Sequence, residues 1–230
     1  MTANLTSPGD GMSRKRVAVL ISGRGSNMAA LIEAAKDKDY PAEIALVLSN
    51  RPDAAGLKTA QAAGIATEIV DHTQFGKDRA AFERSLQAAL EKHRIEIVCL
   101  AGFMRILTGD FVNRWQERII NIHPALLPAF KGLDTHARAL AAGVKIHGAS
   151  VHFVVAEMDS GPIIVQGAVP VRDDDTEAAL AARVLAVEHR IYPLALRLVA
   201  EERVRVQAGR CVIAGAAGPD TPLIVPPERL

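Results

Sequence analysis

Arg16-Val17-Ala18-Val19-Leu20-Ile21, running straight into Ser22-Gly23-Arg24-Gly25-Ser26-Asn27 and then Met28-Ala29-Ala30-Leu31-Ile32-Glu33-Ala34-Ala35, decides the fold. A continuous rather than alternating apolar run is the mark of a strand buried on both faces, as in a parallel sheet. A glycine loop and a helical segment follow it directly. The pattern then repeats. Ile44-Ala45-Leu46-Val47-Leu48 ends in Ser49-Asn50-Arg51-Pro52 and leads into an Ala-rich helix over about 54–63, which Gly64 stops. A short strand, Thr67-Glu68-Ile69-Val70, precedes a long amphipathic helix from about Gly76 to His93. Ile95-Glu96-Ile97-Val98-Cys99-Leu100 is the next buried strand, ending at Ala101-Gly102-Phe103. Strands alternating with helices imply an α/β fold: an open, mostly parallel twisted sheet with helices on both faces, Rossmann-like. Ligands in that architecture sit outside the C-terminal ends of the strands.

Beyond His123 the rhythm changes. Residues 124–134 (PALLPAFKGLD) read as a Pro/Gly-bearing loop long enough to be a mobile flap. Gly148 to Val155 and Ile163 to Val171 alternate like strands, and their seven-residue link, ending in Gly161-Pro162, suggests an antiparallel pair or a tight crossover. Asp173-Asp174-Asp175-Thr176 caps a final helix over about 176–203, its acids suiting the positive helix end. The expected organisation is a disordered polar lead-in over 1–14, one domain over 15–205, and a tail over 206–230 with one strand at Cys211-Val212-Ile213.

Composition narrows the classes of function. Of 230 residues, 49% are apolar and 23% charged, which suits a soluble globular protein with a substantial core. A net charge of +1 gives no basic excess for nucleic acid or a membrane surface, so a small-molecule partner is expected. Cys99 and Cys211 make neither a metal spacing nor a disulfide framework, and a reducing, cytoplasmic setting follows. No apolar stretch reaches the roughly 20 residues that a spanning helix requires. The histidines form no HExxH-type spacing, so no metal is expected.

Chemistry enters with Asn121-Ile122-His123-Pro124, at the end of the apolar run Arg118-Ile119-Ile120-Asn121. On a strand, Asn121 and His123 point the same way, and Pro124 ends the ladder just after them. An amide donor beside a titratable ring is what acyl transfer needs, one to bind a developing oxyanion and one to carry charge or a proton. A polar cap at a strand end is the plainer alternative. Asp159, in the link between the late strands, would favour a cationic His123 if the two met, or else would form an Asx-turn ahead of Gly161. Residues 22–27 lie where backbone N–H groups and a helix dipole attract an anion, but they lack the third glycine of a dinucleotide loop and the lysine of a P-loop. They fit a phosphate monoester site or a tight turn capped by Ser26 or Asn27. His152 reads as a satisfied, partly buried strand histidine.

Together, SGRGSN (22–27), AGFMRIL (101–107), NIHPALLP (121–128), KGLDTH (131–136), HGASVHFV (147–154), EMDSGPII (157–164) and EHRIYP (188–193) resemble the folate-dependent phosphoribosylglycinamide formyltransferases, in order over about residues 15–205. The resemblance implies transfer of a formyl group from 10-formyltetrahydrofolate, as co-substrate, to glycinamide ribonucleotide in a monomer or homodimer. It implies Asn121, His123 and Asp159 as the catalytic trio. It places Gly25, Ser26 and Asn27 on the acceptor's phosphate and Glu188 on its ribose side. Arg79, Met104, Arg105, Ile106 and Leu107, together with Asn121 and the 155–159 loop, would form the folate side, with backbone near 105–107 reading the pterin. Ala125 stands where a serine is usual, and Asp134 where a histidine can occur. A 10-formyltetrahydrofolate hydrolase would use the same trio.

Overall fold

The structure, a computed structural model, describes residues 13–215 and 223–225. Most of the expected lead-in lies outside the described residues. Its last member, Arg14, is held in place, with Nε donating to the Ala42 carbonyl at 3.1 Å.

Strands β1 (Lys15–Ile21), β2 (Ala42–Ser49), β3 (Thr67–Ile69), β4 (Ile97–Leu100), β5 (Ile119–His123), β6 (Ile146–Phe153) and β7 (Ile163–Pro170) form one sheet in the order β3-β2-β1-β4-β5-β6-β7. The first five strands run parallel, and β6 and β7 are antiparallel to their neighbours. The helices are α1 (Ser26–Ala34), α2 (Gly56–Ala62), α3 (Arg79–Lys92), α4 (Gly109–Arg114), α5 (Thr135–Ala141) and α6 (Glu177–Ala200).

The continuous apolar runs have their expected cause. Val17, Val19 and Ile21 of β1 join one core with Met28 of α1, Leu57 of α2 and Leu180 of α6, while Ala18 and Leu20 join a second core with Phe82 and Leu86 of α3 and Phe111 of α4. Each fully buried aliphatic or aromatic side chain contributes about 1.5–3 kcal/mol, so both faces must be covered. The chain leaves β1 towards β2 on one side and later returns to place β4 on the other. A crevice therefore opens between the ends of β1 and β4, the topological switch point where such sheets take ligands.

Several boundaries differ from the sequence reading. Helix α3 starts at Arg79 rather than near Gly76, because Asp78 caps it by accepting from Ala81 N at 2.9 Å and a 3-10 turn occupies His72–Phe75. Short helices α4 and α5 lie in stretches left without an element; six or seven residues carry too little periodicity to show. Helix α6 ends at Ala200, and a hairpin of β8 (Val204–Gln207) and β9 (Arg210–Ile213) follows, so the expected lone strand has a partner.

The β6–β7 link decides the site. Instead of extending beyond the sheet end, it folds back over β5 and β6, so that Asp159 reaches 3.4 Å from His123 at the far end of β5 and 3.8 Å from His152 of β6. Gly161 passes so close to the Phe153 carbonyl that a Cβ there would collide with it. The loop carrying Asp159 is thereby laid over β5.

Candidate active site

At the switch point, the residue before α1 is Gly25, in the left-handed region at φ 72°, where only glycine is free of strain. A Cβ on it would also stand 3.1 Å from Met28 Cε and 3.3 Å from Gly56 Cα. Neither Ser26 nor Asn27 caps the helix, and among the described residues no hydrogen bond engages the N–H groups of Gly25, Ser26 or Asn27. The capped-turn alternative thus fails, and the three residues help to line a cavity of about 310 Å³ bounded by residues 22–27, Arg51, Ala101, Gly102 and Met104. Arg24 and Arg51 were not singled out from sequence. Basic side chains beside a glycine loop were the available signal.

Asn27 turns its amide to α6, donating to Glu188 Oε2 at 2.6 Å. Burial pushes the Glu188 carboxyl above its ordinary value, and the Asn27 hydrogen bond pulls it back. This bond ties Glu188 of α6 to the glycine loop.

On β5, Ile120 and Ile122 pack into the first core and Ile119 into the second, so Asn121 and His123 share the Ile119 face as strand alternation requires. His123 is buried. Its Nδ1 lies 3.4 Å from Asp159 Oδ2, and its Nε2 donates to the Phe130 carbonyl at 3.0 Å. Both ring nitrogens thus face acceptors. Asp159 is not in an Asx-turn: it sits at φ 51° and accepts from Gly132 N at 2.9 Å, tying its loop to the 124–134 segment.

His152 reads from sequence as a satisfied, partly buried strand histidine. It is buried, and it also touches the trio. Register sets it opposite Asn121, with Nδ1 donating to Phe153 O at 2.8 Å and Nε2 left to accept from Asn121 Nδ2 at 3.2 Å. Burial lowers its pKa and keeps the ring neutral. One amide N–H of Asn121 is fixed in this way, and among the described residues no partner engages the other. An antiparallel β6 was expected, but only its register could reveal this neighbour.

On the other side, Met104 N donates to Ser22 Oγ at 2.7 Å, joining the 101–108 segment to the glycine loop. Met104 and Ile106 are 65% and 62% exposed, so their apolar side chains are available, whereas Leu107 is buried in the second core and offers only its backbone. Among the described residues, no hydrogen bond or ion pair engages the guanidinium of Arg79 or Arg105, and none joins them to the trio. Burial pushes the Cys99 thiol up to about 12, which leaves it unsuited to nucleophilic attack. Among the described residues no three His, Cys, Asp or Glu side chains cluster as metal ligands would, and no helix is long and apolar enough to cross a membrane.

The chain matches one family. The formyl transferase family corresponds to residues 15–196, and the chain belongs to it. More particular relatives are similar over most of the chain. Phosphoribosylglycinamide formyltransferase of Escherichia coli is 43% identical over 199 residues, covering 86% of this chain and 93% of the relative. The trifunctional purine biosynthetic protein adenosine-3 of Gallus gallus is 49% identical over 86% of this chain, and the chain spans only 20% of that relative's length. The crystal structure of glycinamide ribonucleotide transformylase 1 from Symbiobacterium toebii superposes with a TM-score of 0.85 at 43% identity, covering 90% of this chain and 99% of that one.

Proposed function

We propose that this chain transfers the formyl group of 10-formyltetrahydrofolate to the amine of glycinamide ribonucleotide in purine biosynthesis. The observation that carries this reading is the meeting of Asn121, His123 and Asp159 on one sheet face, although Asp159 is far from the other two in sequence. The similarity to E. coli phosphoribosylglycinamide formyltransferase over nearly the whole of both chains supports the substrates. Residues 15–205 would form the catalytic domain.

The acceptor's phosphate rests on the N–H groups of Gly25, Ser26 and Asn27, where the positive end of α1 offsets its charge. Glu188 holds the ribose. The folate side fits a flat heteroaromatic ring: among the described residues the backbone groups of Arg105, Ile106 and Leu107 form no hydrogen bond, while Met104 and Ile106 offer apolar cover. Arg79 faces the carboxylate end of the folate.

The co-substrate supplies an activated formyl carbon, and no metal is invoked. As the acceptor amine adds to that carbon, the carbonyl oxygen becomes anionic, and the free N–H of Asn121 donates to it. His123, beside Asp159, carries the positive charge that stabilises the same oxygen. As the bond from the formyl carbon to the folate nitrogen breaks, Nε2–H turns from the Phe130 carbonyl and delivers a proton to that nitrogen, directly or through water, and the proton released by the attacking amine restores the imidazolium. Asp159 balances the imidazolium. One chain supplies all of these groups, so a monomer or a homodimer would serve, in the cytoplasm.

The test is tetrahydrofolate release followed by absorbance, with and without glycinamide ribonucleotide. Release that requires the ribonucleotide and yields its formylated product is expected. Release of formate without it would establish the hydrolase instead.

A further inference from the structure

We propose that Glu83, on α3, is a positioning residue that holds the folate-side segment in its ligand-ready shape. The inference rests on the function proposed above. Glu83 is buried, 7% exposed, and among the described residues it is a carboxylate with no basic partner. Both of its oxygens are committed to one residue of another element: Thr108 N donates to Oε1 at 2.6 Å, and Thr108 Oγ donates to Oε2. Burying a carboxylate is expensive unless it is fully hydrogen-bonded, so this contact needs a return.

Its position suggests what the return is. Residues 103–108 have no helix or strand geometry. The segment is anchored at one end by Met104 N on Ser22 Oγ, itself bonded to Asn50, and at the other by Thr108 on Glu83. Between the anchors, the N–H and C=O groups of 105–107 are unpaired among the described residues, as a main-chain reading edge must be. A six-residue stretch whose middle three residues are unpaired has no internal reason to keep one shape, and ordering it costs roughly 1–2 kcal/mol per residue of backbone entropy. Two fixed ends remove most of that cost before a ligand arrives, which is how preorganisation raises affinity. Glu83 also lies one helical turn from Arg79 on the same face of α3, so one helix sets both the segment and the basic residue proposed for the folate carboxylates.

Glu83→Gln keeps the shape but can accept through one oxygen only. It should raise KM for 10-formyltetrahydrofolate, and Kd for 5-deazatetrahydrofolate measured calorimetrically, by roughly tenfold, the scale of one charge-assisted hydrogen bond. The kcat at saturating folate and KM for the ribonucleotide should stay within about twofold, because nothing in the trio moves. Thr108→Val, which removes the hydroxyl bonded to Glu83 and with it the cap that accepts from Phe111 N of α4, should raise the same Kd, and the double variant should be less impaired than the product of the two single effects. Gln87→Leu serves as the control for plain stability. Gln87 sits one turn further along α3 and accepts from Trp115 Nε1 at 2.9 Å, so its loss should lower Tm without moving the folate Kd. Wild-type protein that does not bind the analogue overturns the proposed function and this inference together. Wild-type binding with an unchanged Kd in Glu83→Gln, or in Thr108→Val should the glutamine variant not fold, overturns the inference alone.

Discussion

At the scale of single residues, Asn121 and His123 were legible because a period of two and a following proline place them on one face at a strand end. His152 was not, since nothing local distinguishes a strand histidine that orients an amide from one that merely fills space. If Asn121 and His123 act on the same oxygen, their effects overlap. Asn121→Ala and His123→Ala should each lower kcat by about 100- to 1000-fold, the usual cost of one oxyanion donor. The double variant should lose much less than the product of the two, and full additivity in a double-mutant cycle would assign them to separate steps. Gly25→Val tests the phosphate placement. A β-branched residue at φ 72° is strained by more than about 1–2 kcal/mol and meets Met28 and Gly56. KM for the ribonucleotide should rise far more than KM for the folate; equal rises would move the phosphate elsewhere.

At the scale of elements, long buried strands and long helices announced themselves, because every residue of such a run obeys one period. The short helices α4 and α5 did not, and α5 carries an unusual arrangement. His136 on α5 meets His147 on β6 edge-on, with ring centroids 5.3 Å apart, and neither nitrogen of the buried His147 has a hydrogen-bond partner among the described residues. Burial, followed by the neighbouring His136 and His123, pushes the His147 pKa down to about 4 from 6.5. The unfolded chain therefore takes up the proton first. Stability from this site is complete above about pH 6.5 and is lost as the pH falls towards 4. In His147→Phe, Tm should decline less steeply across that window than in the wild type. Parallel slopes would show that His147 is not the group responsible.

At the scale of the whole molecule, the fold class followed from the alternation of buried runs with helices, but the strand order and the folding back of the 154–162 link did not. Both depend on contacts between residues far apart in sequence. One such contact joins α6 to the sheet: the fully buried Tyr192 hydroxyl donates to Leu100 O at 2.9 Å, with Ile120 O at 3.3 Å, stitching the helix that carries Glu188 to β4 and β5. Tyr192→Phe should cost about 1 kcal/mol, or about 2–4 °C in Tm. It should also raise KM for the ribonucleotide, since Glu188 lies one turn away. A lowered Tm with unaltered KM would make the stitch purely structural.

The unpaired main chain at 105–107 has a consequence for evolution under inhibitors. A ligand recognised by backbone groups offers few side chains through which to escape it, because most substitutions leave N–H and C=O where they were. Proline is the exception, since it deletes a donor. Variants selected for growth against a folate-mimicking inhibitor should therefore gather at the anchors, Ser22, Glu83 and Thr108, and be sparse among the residues that the inhibitor touches. Sequence variability at 105–107 would then be a poor guide to whether those positions bind anything.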